Sequence, residues 1–126
     1  MGKEFEVSKP IYIQIAEKVY QQIIRKEISP GEKLPSVREM AIQSGVNPNT
    51  IQRTYSEMER MGVVETKRGQ GTFVVENEDI VLQLKQSMQL EIIGQFVNNM
   101  KELGFTKDQM LEGLHEYLKA GDRSDN

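Results

Sequence analysis

The stretch GVNPNTIQRTYSEMERMG, residues 45–62, leaves this chain little freedom in how it can fold. Proline is tolerated in a helix only in its first turn, where the missing N–H has no bond to make. A helix through this stretch must therefore start at Pro48, with Asn47 as its N-cap, and Gly62 offers a stop. Ile51, Tyr55 and Met58 then share one face, and Asn49, Arg53, Ser56 and Arg60 share the opposite one. The helix over 47–61 thus buries one side and shows the other, hydrogen-bonding side to whatever it meets.

The flanking sequence narrows the setting. PIYIQIAEKVYQQIIRKEI, residues 10–28, has Ile15, Val19 and Ile23 at helical spacing, flanked by Ala16, Tyr20 and Ile24. Pro30, Gly31 and Pro35 break it. Ser36 and Glu39 have the spacing of a capping box, so a second, short helix starts there, and Gly45 can close it. After the 47–61 helix come two β-rich runs, Val63–Thr66 and Thr72–Val75, around KRGQG, which predicts a hairpin. Gly69 and Gly71 let its tip take backbone angles closed to other residues.

Beyond Val75 the character changes. Residues 1–75 hold 11 basic against nine acidic side chains, whereas residues 76–126 hold five against ten, for a net charge of −3. The acidic joint ENED leads into a long apolar-striped helix with Leu84, Met88, Ile92, Phe96, Met100 and Leu103 about one turn apart. Gly104 stops it. Thr106 and Gln109 predict another capping box, opening a last helix with Met110, Leu111, Leu114 and Leu118 on its apolar side. GDRSDN, residues 121–126, is expected to fray. The division is thus a domain over 1–75 and a helical region over 76–126.

Several chemistries are excluded. With no cysteine and one histidine, neither a disulfide framework, a thiolate site nor a multi-histidine zinc site can form. No apolar run approaches the roughly 20 residues that span a bilayer, and the N-terminus lacks a signal-peptide core, so a cytoplasmic location is expected. No nucleophile–base set or phosphate loop is present, and the chain is not expected to be an enzyme or to carry a cofactor. His115 suits a surface position, the seven methionines suit apolar packing, and Glu57 and Glu59 suit solvated charges.

The polar face suits a different task. Asn and Gln can bond an adenine edge, Arg a guanine edge, and Thr a phosphate or thymine methyl. A helix with Asn49, Thr50, Gln52 and Arg53 near its N-terminus fits end-on entry into a major groove. Either this face or the basic tip with Lys67 and Arg68 would alone suit a plain solvated surface. Short helix, tight turn, polar-faced helix and basic hairpin together make a winged helix-turn-helix.

The span PGEKLPSVREMAIQSGVNPNTIQRTYSEMERMGVVETKRGQGTFV, residues 30–74, with the PIYIQI opening, resembles the DNA-binding domain of GntR-family bacterial transcription regulators. The motifs that carry it are G-x-x-LPS-x-RE-x-A, the GV…T turn and RGQGTFV. The short acidic helical tail resembles the YtrA-type subfamily, whose two-helix appendage dimerises. The resemblance implies that Arg38 contacts DNA at the start of the second helix. It implies that Asn49 and Thr50 meet bases and phosphates, and that Gly69 lies in a wing entering the minor groove. Many members carry arginine where this chain has Pro48 and Gln52, and Arg53 offers a charge one position on.

The candidate DNA-contacting set is Arg38, Asn47, Asn49, Thr50, Gln52, Arg53, Lys67, Arg68, Gly69, Gln70 and Gly71. Leu84, Met88, Ile92, Phe96 and Met100 are the expected dimer stripe. The expected fold is mainly α with a small β-hairpin, a winged helix-turn-helix followed by a two-helix dimerisation appendage. The expected function is a homodimeric, sequence-specific regulator, a repressor on a palindromic operator, with a winged helix that binds protein as the alternative. Alanine at Asn49 or Arg53 should relax sequence preference, and loss of Lys67 or Arg68 should weaken binding to every sequence. The operator, target genes and any effector are not legible in the sequence.

Overall fold

In the computed structural model, which describes residues 8–124, the elements run α1 (Ile11–Ile24), α2 (Val37–Ser44), α3 (Pro48–Arg60), β1 (Val64–Lys67), β2 (Gly71–Val74), α4 (Glu78–Glu102) and α5 (Lys107–Ser124). The chain forms two compact units, one up to Lys85 and the other from Gln86. Its division therefore falls inside α4, ten residues beyond the change of charge at 75/76.

Local hydrogen bonds explain the helix starts. The Ser36 hydroxyl accepts from the Glu39 N–H at 3.1 Å while the Glu39 carboxylate accepts from the Ser36 N–H at 2.9 Å, closing the predicted box. Asn47 Oδ1 accepts the Asn49 N–H at 2.7 Å and Pro48 occupies the first turn of α3. Thr106 and Gln109 form the same reciprocal pair ahead of α5.

The helix ends share one device. At Gly45, Gly62 and Gly104 the chain turns left-handed, and the next residue's N–H bonds a carbonyl five residues back. α1 uses the same device at Lys26, with φ 66 and the Glu27 N–H on Gln22 O at 2.8 Å. That corrects the expected helix through residue 28: a lysine takes the position that glycine marks elsewhere. The last helix also exceeds expectation, continuing to Ser124 where fraying was expected from 121, while residues 125 and 126 lie outside the described ones.

The first unit is built around α3. Ile51 and Met58 are fully buried and Tyr55 nearly so, as the face assignment predicts. α3 packs against α1, α2 and β1, and the other buried apolar residues of this unit include Ile15, Ala16, Val19 and Ile23 of α1, Ala41 of α2, and Val63, Val64 and Val74. Each buried isoleucine, valine or methionine among them contributes about 1.5–3 kcal/mol by leaving water. Val81 and Leu84 are buried as well, so the first turns of α4 belong to this core.

β1 and β2 pair antiparallel with Val64 opposite Val74 and Lys67 opposite Gly71. The expected strands, 63–66 and 72–75, are each displaced by one residue toward the tip, although the Val75 N–H still bonds Val63 O at 3.0 Å. Residues 31–34 add a third, irregular edge through Gly31 N–H to Val74 O, Val74 N–H to Glu32 O and Leu34 N–H to Thr72 O.

Tyr20 and Tyr55 are both pushed up to about 12, chiefly by burial, with Glu57 acting next on Tyr20 and Glu39 on Tyr55. From the ordinary phenol value of 10.0 up to about 12, the folded chain keeps protons that the unfolded chain releases. Stability is therefore expected to hold up to that lower value and fall across the window as pH rises. Urea midpoints measured at a series of alkaline pH values check this.

Candidate nucleic-acid interface

α2, the Gly45–Asn47 turn and α3 form a helix-turn-helix. Two hydroxyls fasten α3 to its surroundings. Thr54 is fully buried, and its single Oγ1–H is shared between Tyr12 O and Thr50 O, both at 3.0 Å. The Tyr55 hydroxyl donates to the Pro35 carbonyl just before α2. The open side of α3 carries Asn49, Gln52, Arg53 and Ser56, all exposed, with Thr50 half-buried at its edge. Arg38 lies exposed in the first turn of α2, without an acidic partner among the described residues.

The sequence assigned some of these groups incompletely. Asn47 commits its Oδ1 to the cap and so acts first on the helix itself. Arg60 makes a two-point ion pair with Glu57, at 2.6 Å and 3.1 Å. Its guanidinium holds the Glu57 carboxyl below the usual carboxylate range. Glu59 accepts a bond from the Thr66 hydroxyl at 3.4 Å. Glu57 and Glu59 are therefore partnered rather than simply solvated.

At the wing, Gln70 N–H bonds Lys67 O at 2.8 Å and Gly69 has φ 76, a turn that needs a positive φ at its third residue. Lys67, Arg68, Gly69 and Gln70 are all exposed there, and Gly71 is half-buried. Lys67 Nζ sits 4.8 Å above the Phe73 ring. A Cβ at Gly71 would stand 2.7 Å from Lys33 Cε, so the lysine would have to shift aside, and φ 125 is itself a strained angle for any other residue. Lys33 bridges to Phe73 and so joins the same face of the wing as Lys67. Sequence reasoning passed over Lys33, and also over Tyr12, whose ring lies 4.1 Å beneath the Arg53 guanidinium.

Residues 11–74 match the family described as "Bacterial regulatory proteins, gntR family". The chain belongs to the GntR family. It is 59% identical over 121 residues to the HTH-type transcriptional regulator YhcF of Bacillus subtilis, covering 96% of this chain and 100% of that one. It is 40% identical over 113 residues to the HTH-type transcriptional repressor YtrA of the same organism, covering 89% and 84%. A GntR family transcriptional regulator from Listeria monocytogenes has the same fold, with TM-score 0.82, 35% identity and coverage of 89% and 98%. This GntR-family chain is thus a DNA-binding transcription regulator with the winged helix-turn-helix expected of it, and not an enzyme. Among its described residues, no helix is long and apolar enough to cross a membrane, and no three potential ligands gather to hold a metal ion.

The second unit leaves much of its apolar surface open. Ile92, Leu111 and Leu118 are well exposed and Phe96, Val97 and Met100 half-buried, while Met110 is buried. Ile92, Ile93, Phe96, Val97, Met110 and Leu114 help line a groove of about 660 Å³ between α4 and α5. Met88 is half-buried. Leu84 differs from the rest of the expected stripe: it belongs to the first unit and is only 6% exposed within its own chain.

Proposed function

We propose that this regulator acts as a homodimeric repressor on a palindromic operator, with α3 in the major groove and the wing at the minor groove. The observation that carries this is the open face of α3, with Asn49 and Gln52 exposed at its N-terminal end and, among the described residues, no carboxylate paired to them. Asn and Gln suit adenine edges, and the wing's Lys67 and Arg68 suit flanking phosphates. The repressor name of the YtrA relative supports the sign of regulation. The domain over 1–75 supplies these contacts, and the helices over 76–126 supply the pairing.

Dimerisation is supported by the open apolar groove of the second unit. A second copy of the chain would cover Ile92, Phe96 and Met100 and would set two α3 helices on half-sites roughly 34 Å apart. Light scattering is expected to give twice the chain mass, and Phe96→Glu is expected to give the single mass and to weaken operator binding.

The direct test is fluorescence anisotropy against the duplex upstream of the protein's own gene, with a scrambled control, across a salt series. Binding that prefers the upstream duplex near physiological salt is the expected result. No binding to either duplex at low salt would overturn the reading in favour of a winged helix that binds protein. In the same titrations, Lys67→Ala and Arg68→Ala are expected to weaken both duplexes alike. Each is expected to lower the salt slope by about 0.9 for every phosphate it leaves without a cation.

A further inference from the structure

Arg53 starts on the outward face of α3 but does not point straight out. Its guanidinium carbon lies 4.1 Å from the centroid of the Tyr12 ring, in the first turn of α1. The contact is registered by its neighbour: Thr54, fully buried, donates to the Tyr12 carbonyl at 3.0 Å. That contact, shared with the Thr50 carbonyl, ties the backbone carrying the ring to the helix carrying the arginine. Arg60, by comparison, is neutralised by Glu57, whereas Arg53 has no carboxylate partner among the described residues.

This placement has two physical consequences. A ring beneath a guanidinium attracts the flat face of the cation and leaves its in-plane N–H groups free, and those suit the paired oxygens of a phosphate. At 100° per residue, Arg53 and Thr50 fall toward the α1 side of α3, while Gln52 falls toward the other. The Tyr12 contact draws the Arg53 guanidinium toward the α1 edge of that face, and contacts to phosphates there position a protein without reading sequence.

We infer that Arg53 grips a backbone phosphate at the α1 edge of the groove rather than a base, and that Tyr12 is the positioning residue that holds it there. This rests on the DNA-reading assignment of α3, and it replaces the expectation that Arg53 reads sequence. Base discrimination then falls first to Asn49, which lies nearest the outward direction of α3, and Arg53 supplies register and affinity common to all sequences.

The test uses the full chain and a duplex that the wild type itself selects from a random pool, with a scrambled duplex beside it. Arg53→Ala is expected to weaken both duplexes by a similar factor, about tenfold or more for a charge-assisted bond. Its salt slope is expected to fall by about 0.9 per subunit engaged. Tyr12→Phe keeps the ring and should match the wild type. Tyr12→Leu should reproduce part of the Arg53→Ala loss, and adding it to Arg53→Ala should cost nothing further. In the free protein, the NMR signal of the Arg53 Nε–H should shift in Tyr12→Leu and stay in place in Tyr12→Phe, a readout that is independent of DNA.

Loss of preference between the duplexes in Arg53→Ala, at unchanged salt slope, would overturn the phosphate assignment. An equal cost of Tyr12→Leu with and without Arg53 would overturn the positioning role. A wild type that selects no sequence would instead count against the DNA-reading assignment itself, which separates the two failures.

Discussion

Asn49→Ala is expected to cost the preferred duplex about 1–3 kcal/mol per half-site, or roughly 5- to 150-fold in affinity, while binding to a scrambled duplex stays unchanged. The asymmetry follows from where its groups go. Asn49 is exposed in the first turn of α3, and its backbone N–H, not its side chain, is the part used by the Asn47 cap. Its amide is therefore free for a base edge, and removing it disturbs neither the helix start nor any phosphate contact. Since both subunits of a dimer carry the change, the operator loss should be about twice the half-site value in free-energy terms. Anisotropy with a full palindrome and with a single half-site measures both quantities. An equal loss on the scrambled duplex would show that Asn49 serves affinity rather than reading.

Met58→Ala is expected to be the most destabilising single change of this group. Met58 is fully buried at the centre of the first unit, and truncating a buried methionine costs about 2–5 kcal/mol through forfeited transfer energy and the cavity left behind. Native domains hold only about 5–15 kcal/mol in total. At about 4–8 °C per kcal/mol for a domain of this size, the melting temperature should fall by roughly 8–40 °C. Met61, three residues on but 41% exposed, is the control. Met61→Ala should leave the melt nearly unchanged, within about 0.5 kcal/mol. Thermal denaturation followed by circular dichroism checks both.

What the sequence made legible were the features settled within a turn or two. Ser36 with Glu39, Asn47 with Pro48, and Thr106 with Gln109 announce helix starts because each closes its bonds across three residues or fewer. The end of α1 escaped because Lys26, not glycine, takes the left-handed position there. The strand limits slipped by one because the Lys67–Gly71 pair extends the ladder toward the tip, which composition does not signal.

The candidate site divides the same way. Asn49, Gln52, Lys67 and Arg68 stand out by residue type in a recognisable pattern. Tyr12 and Lys33 gain their meaning from Arg53 and Phe73, each some 40 residues away, and no local periodicity reports such a meeting. Leu84 keeps perfect step with Met88 and Ile92, yet spacing alone does not say which part of a stripe is already buried within the chain, and Leu84 is.

The Tyr55 hydroxyl on the Pro35 carbonyl joins α3 to the turn that launches α2. If Arg38 and Asn49 contact DNA as proposed, the backbones that carry them would approach a duplex as one body. The backbone part of that ordering is settled during folding, and only the side-chain freedom of these exposed residues is left to oppose association. A surface assembled in advance should meet DNA at a rate governed by electrostatic steering, and should do so with a small heat-capacity change.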